Sequence, residues 1–161
     1  MRRSRAALIA LAVLLAAAPS HAQRPDSAMV GAWLGSARVT VDWTVQKQID
    51  VRVAIYADGS VTGMIGDASL VDAHLRSTRT FLQKALRLGT DYVIEAGLAG
   101  PIIRAESVQR QSVRIPLSWN GSAFTGTIST DGSFEGGRDI MRFTASDLVL
   151  RRAPTIVSTI K

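Results

Sequence analysis

The chain reads as a mainly β protein. It predicts a single antiparallel up-and-down β-barrel, or a β-sandwich, of about nine strands with one short helix near residues 79–88. Three observations carry this. Apolar and polar residues alternate with a period of two through most of the chain after residue 30. The alternating runs are short and are separated by turn pairs such as Asp58-Gly59, Asn120-Gly121 and Asp131-Gly132. Helical patterns are not interleaved with the strands, which argues against a parallel α/β fold.

The N-terminus stands apart from this pattern. Arg2, Arg3 and Arg5 make a basic start, residues 6–18 are apolar, and Ser20-His21-Ala22 fits the small-x-small cleavage rule. Residues 1–22 therefore read as a cleaved signal peptide of bacterial type. The mature chain is expected to start at Gln23 and to be secreted across the inner membrane, to a periplasmic or extracellular location. The apolar run is shorter than the roughly 20 residues a transmembrane helix needs, and no later segment is long enough. Removing 22 of the 161 residues leaves 139, enough for one domain. Residues 23–29 are a lead-in, 30–152 the β domain, and 153–161 a tail.

The strands follow in order. Trp33, Gly35, Ala37, Val39, Val41, Trp43 and Val45 share one face, against Ser36, Arg38, Thr40, Asp42 and Thr44. Ile49, Val51, Val53 and Ile55 face in on the next strand. After the Asp58-Gly59 turn come Val61, Gly63 and Ile65, then Val71, Ala73 and Leu75 opposite Asp72, His74 and Arg76. In residues 77–89, Phe81, Leu82, Ala85 and Leu86 recur at helical spacing and Gly89 suits a C-cap, which predicts the helix. Tyr92, Ile94, Ala96 and Leu98 resume the alternation, and residues 102–110 are strand-like but less regular. Val113, Ile115, Leu117 and Trp119 follow, with Pro116 marking an edge or a bulge because it has no N–H to donate. Phe124, Gly126 and Ile128 lie beyond Asn120-Gly121, and residues 139–151 close the domain. "DGSVTGMI" at 58–65 and "NGSAFTGTI" at 120–128 echo each other. Two hairpins under the same steric demands account for so short an echo better than duplication does.

Composition excludes several classes. There is no cysteine, hence no disulfide, cysteine zinc site or thiol catalysis. Without the three signal arginines, 16 Lys and Arg face 13 Asp and Glu. That surplus is too small for a general nucleic-acid binder, and no nucleic-acid motif is present.

Few residues suggest chemistry. His74 is the one histidine outside the signal, and Asp72 lies two residues before it on the polar face. An enzyme of unknown reaction would use this His74/Asp72 pair as base and orienting carboxylate. A solvated surface histidine explains it more simply. No Gly-x-Ser-x-Gly elbow supplies a nucleophile, no catalytic centre is singled out, and no cofactor is expected. In "DGSFEGGRDIMR", 131–142, Asp131, Ser133, Glu135 and Gly136 mimic a calcium loop, but Arg142 stands where a bidentate glutamate belongs. This predicts a Gly-rich hairpin loop and no metal. Asn120-Gly121-Ser122 matches a glycosylation sequon but reads as a tight turn. Arg76, Arg79, Lys84 and Arg87 form a basic stretch beside Phe81, Leu82 and Leu86, a candidate contact for anionic lipid or a membrane surface. A helix that plugs or flanks one end of the β-structure, its basic side in water, explains the stretch more simply.

Gly31-Ala32-Trp33 opens the first strand, and Leu148-Val149-Leu150-Arg151-Arg152 ends the last. This layout resembles the calycin-type β-barrels of lipocalins and avidins, and "SAFTGTI" is similar to avidin-like hairpin strands. The resemblance covers residues 31–152 in layout, but only Gly31, Trp33 and one of Arg151 or Arg152 match a motif. The other lipocalin motifs are missing, and the helix falls mid-chain. The resemblance implies that Trp33 packs against Arg151 or Arg152 and closes one end of the barrel. It also implies an apolar cup for a hydrophobic or amphiphilic small molecule. The alternative is a structural or inhibitory interaction module with a filled core. Gly35, Ala37, Gly63, Ala73 and Ala96 face in, so they either leave room or fit a barrel's taper.

Overall fold

The computed structural model describes residues 24–78, 89–104, 109–133 and 140–154. Nine strands form one antiparallel sheet: β1 (Gly31–Val39), β2 (Gln48–Ile55), β3 (Ser60–Ile65), β4 (Ala68–Ser77), β5 (Tyr92–Ala99), β6 (Gln109–Arg110), β7 (Ser112–Trp119), β8 (Ala123–Ser133) and β9 (Ile140–Arg152). The order β8-β7-β5-β4-β3-β2-β1-β9 closes on itself because β8 also pairs with β9. The domain is thus an eight-stranded up-and-down barrel, not a sandwich. β6 runs beside the end of β8 and leads into β7. Closure leaves none of the eight strands with a free edge. Among the described residues the helical content is one 3-10 turn, Ser27–Met29, capped by the Asp26 carboxylate at the Ala28 N–H. The helix expected at 79–88 lies outside the described residues.

The alternation works because each inward position removes an apolar side chain from water, contributing roughly 1.5–3 kcal/mol for a large one. Trp33, Ile49, Ile55, Ile65, Ile94, Ile115, Leu117, Phe124, Ile128 and Phe143 are all less than 2% exposed. Ile102 and Ile103 are also buried, from the loop after β5; among the described residues of 102–110, the strand is Gln109–Arg110.

Several inward assignments need correction. β1 ends at Val39, and the apparent continuation through Val41, Trp43 and Val45 is a loop. Val45 is 97% exposed. Val71 faces solvent because β4 carries an extra residue relative to both neighbours, with Asp72 at φ 50°. β9 has the same device at Asp147, φ 57°. Aspartate tolerates this left-handed backbone better than most residues, and each bulge bends its strand around the barrel. The two bulged strands stand four places apart on the ring of eight. Pro116 is not at an edge. β7 lies between β5 and β8, and its pairing with β8 lapses between Leu117↔Gly126 and Arg114↔Ser129 without a register change. Gly63 and Gly126, the matching positions of the sequence echo, meet the same demand. A side chain on either would strike the neighbouring strand's carbonyl, that of Arg52 or of Pro116. Gly35 likewise abuts the Val149 carbonyl, so these glycines let strands approach and do not open a cavity.

Asp147 is held in place by Arg38, whose guanidinium lies 2.7 Å away. Hydrogen bonds from Arg38 and Ser146, with the attraction of Arg38, hold the Asp147 carboxyl below its usual range. The folded group ionises at lower pH than the unfolded one. Its contribution is therefore full above the ordinary carboxylate range and is lost as pH falls through the lowered value. Asp147→Asn keeps the bulge, since asparagine also accepts left-handed backbone. The expected result is a small loss of stability at pH 7, in urea melts, that shrinks and vanishes as pH falls below the ordinary carboxylate range and through the lowered value.

Candidate functional site

The two barrel ends are shut by arginine–aromatic stacks. At one end Trp33 is 1% exposed, and its indole N–H donates to the Met29 carbonyl at 2.8 Å. Trp119 and Phe124 pack on it with centroids at 5.5 and 5.0 Å. The Arg152 guanidinium lies 5.0 Å from the Trp33 ring centroid and donates to the carbonyls of Val30 and Ala28. Arg152, then, is the arginine that lies on Trp33. Arg151 points to the outer wall. At the other end Arg110, 5% exposed, lies over Phe143 and Trp43 and donates to the Thr130 and Met141 carbonyls. This second closure was not legible in the sequence, where Arg110 sits in an irregular stretch. Its only signal was Trp43 next to an apolar alternation.

With the interior occupied, the recesses to consider lie outside. One of about 760 Å³ runs across the outer wall of β4, β5, β7 and β8. Its floor is Val93 and Pro116. Val93 is 4% exposed although it does not belong to the barrel core. Cross-strand register builds the walls: His74 stands beside Glu95, Glu95 beside Arg114, and Arg114 beside Ser129. Arg76 and Arg114 each reach Glu95 at 3.9 Å, so one carboxylate is shared between two guanidiniums. Thr78 and Thr90 pinch the upper rim, where the Thr78 hydroxyl donates to the Thr90 carbonyl at 2.6 Å. Asp131 lines the lower rim and is paired with Arg142 at 3.0 Å.

The sequence-derived candidates fall as follows. Asp72 and His74 both line this groove and are exposed, and among the described residues no hydrogen bond joins them. Of the basic stretch, Arg76 is in the groove, while Arg79, Lys84 and Arg87 lie outside the described residues. In the calcium-like segment, Asp131 and Arg142 face each other on paired strands. Among the described residues no group of three or more His, Asp or Glu is placed to hold a metal ion. Asn120 spends its side-chain oxygen on Ser122 and Ala123 within the turn.

Among the described residues no helix is long and apolar enough to cross a membrane. The barrel wall itself carries Arg38, Arg52, His74, Arg76, Glu95, Arg114 and Arg151 outward, the reverse of the apolar band of a bilayer-spanning barrel. Comparisons with protein-family models, curated proteins and solved structures return no match.

Proposed function

We propose that this chain is an exported, non-catalytic interaction module: a filled β-barrel that binds through its outer wall, with the groove across β4, β5, β7 and β8 as the contact site. The filled interior carries this reading. Inward side chains from around the barrel, Ile49, Val51, Ile65, Ile94, Ile115, Phe124, Ile128 and Leu148 among them, are less than 2% exposed and form one packed cluster with the end residues Trp33 and Phe143. Export is supported by the basic start, apolar run and small-x-small site of residues 1–22. The calycin relationship is supported by Arg152 stacked on Trp33 at the barrel's end.

The groove suits a mixed-charge polypeptide segment. Arg76, Glu95 and Arg114 alternate in sign across three strands, and the long contacts to Glu95 leave most guanidinium N–H donors open to a partner's carboxylates. Val93 and Pro116 give an aliphatic floor. Among the described residues the eight barrel strands have no free edge and β6 offers one of only two residues, so recognition runs through side chains.

Screening the full chain against an array of mixed-charge peptides tests this. Binding is expected for a subset, weakened about tenfold by Arg76→Gln with Arg114→Gln, in line with about 1.5–3 kcal/mol for a charge-assisted hydrogen bond. Peptide binding indifferent to both arginines would contradict the groove. Saturable binding of an uncharged lipid analogue, with no peptide bound, would return the cup reading to first place.

A further inference from the structure

The wall opposite the groove carries a second arrangement. Arg151 of β9 stands beside Leu34 of β1, Leu34 beside Arg52 of β2, and Arg52 beside Met64 of β3. Strands lie about 4.8 Å apart, so the two arginines are roughly 10 Å from each other with Leu34 between them. Leu34 and Met64 are 42% and 40% exposed. The next row, Ala32, Ala54 and Thr62, is small and keeps the face flat. Tyr56, 48% exposed, stands at its end.

The arginines are distinguished by what they lack. Among the described strand residues, Arg38 pairs with Asp147, Arg76 and Arg114 with Glu95, and Arg142 with Asp131. Arg110 and Arg152 bind backbone carbonyls. Among the described strand arginines, Arg52 and Arg151 alone have neither an ion pair nor a side-chain hydrogen bond, and both are exposed. Two carboxylates, Asp50 and Asp67, share a recess with Arg52 and Met64, and Asp67 is paired with Arg104. Two free arginines against the one unpaired acid, Asp50, leave the face positive.

We infer that this face docks on an anionic bilayer surface. The guanidiniums take lipid phosphates as bidentate donors, while Leu34 and Met64 rest at the headgroup boundary. The interleaving of charge and apolar side chain in one row favours lipid over an acidic protein. Protein interfaces gather apolar residues at a centre and charge at a rim. Interfacial membrane contacts set basic and apolar side chains side by side, with the basic stems snorkelling.

Sedimentation of the full chain with vesicles of phosphatidylglycerol or of phosphatidylcholine tests this. At about 50 mM salt, binding is expected to phosphatidylglycerol alone, and to fall sharply by about 0.5 M as charges are screened. Arg52→Gln and Arg151→Gln should each weaken partitioning about fivefold, and the pair about 25-fold. Arg142→Gln, which removes the same charge elsewhere, should leave it within about twofold. Circular dichroism should show unchanged melting for these exposed variants, so a loss of binding is not a loss of fold. No binding to phosphatidylglycerol at low salt, equal binding to both lipids, or loss independent of Arg52 and Arg151 would overturn the inference. So would arginine-dependent binding to a polyglutamate peptide without vesicle binding, which would give the face to an acidic protein.

Discussion

Trp33→Ala is expected to lower the stability of the barrel by about 3–5 kcal/mol, the range for removing a large aromatic from a packed core. The cost has three sources. The indole fills the end of the barrel against Trp119 and Phe124, and its neighbours are held by closed strands that cannot collapse inward. The Met29 carbonyl loses its donor while Met29 itself is buried. Arg152 loses the ring beneath it. A fall in melting temperature of about 10–20 °C follows for a domain of this size. Arg152→Gln removes only the exposed half of the contact and is expected to cost about 0.5–1 kcal/mol. Thermal melts followed by circular dichroism separate the two. If Trp33→Ala costs no more than Arg152→Gln, Trp33 does not organise this end of the barrel.

Gly63→Ala should be nearly as damaging. The added methyl would strike the Arg52 carbonyl oxygen and lie 2.8 Å from the Val53 Cα, and Gly63 has φ 150°. Both obstructing atoms are backbone in the β2–β3 ladder, so relief means breaking pairing. Overpacking of about 1–3 kcal/mol adds to backbone strain of similar size, giving an expected loss of about 3 kcal/mol or more. Gly121→Ala is the control. It too has positive φ, 98°, but its methyl would meet nothing within 4 Å. A loss of about 1 kcal/mol is expected there. Urea unfolding of both variants checks the difference, and equal losses would show that backbone angle alone, not strand approach, requires the glycine at 63.

The fold was legible where alternation runs unbroken. β2, β7 and the first half of β1 place every inward residue as the period of two requires. It failed where physics outside the local pattern decides. Val41, Trp43 and Val45 continue the alternation of β1, but a strand ends where partners end, and no single chain segment encodes that. Asp72 and Asp147 shift the phase of β4 and β9 by one residue, and nothing about an aspartate in a polar row announces a left-handed bulge. Val71 was misplaced for this reason. The groove was legible only in fragments. His74, Glu95 and Arg114 come from three strands, and register alone makes them neighbours. A contact of Trp33 with Arg151 or Arg152 was expected only from the resemblance to calycin-type barrels, and register decides for Arg152.

The barrel interior is packed with buried side chains, and in the proposed function the protein binds through its outer wall. Titration of the full chain with an uncharged fluorescent monoacylglycerol analogue, at about 0.5 M salt to suppress surface attraction, tests it most directly. The expected result, read with Trp43 and Trp119 replaced by Phe so that the buried Trp33 alone emits, is no saturable one-to-one binding and no change in emission. One-to-one saturation accompanied by a shift in that emission would place a ligand inside the barrel and contradict this reading.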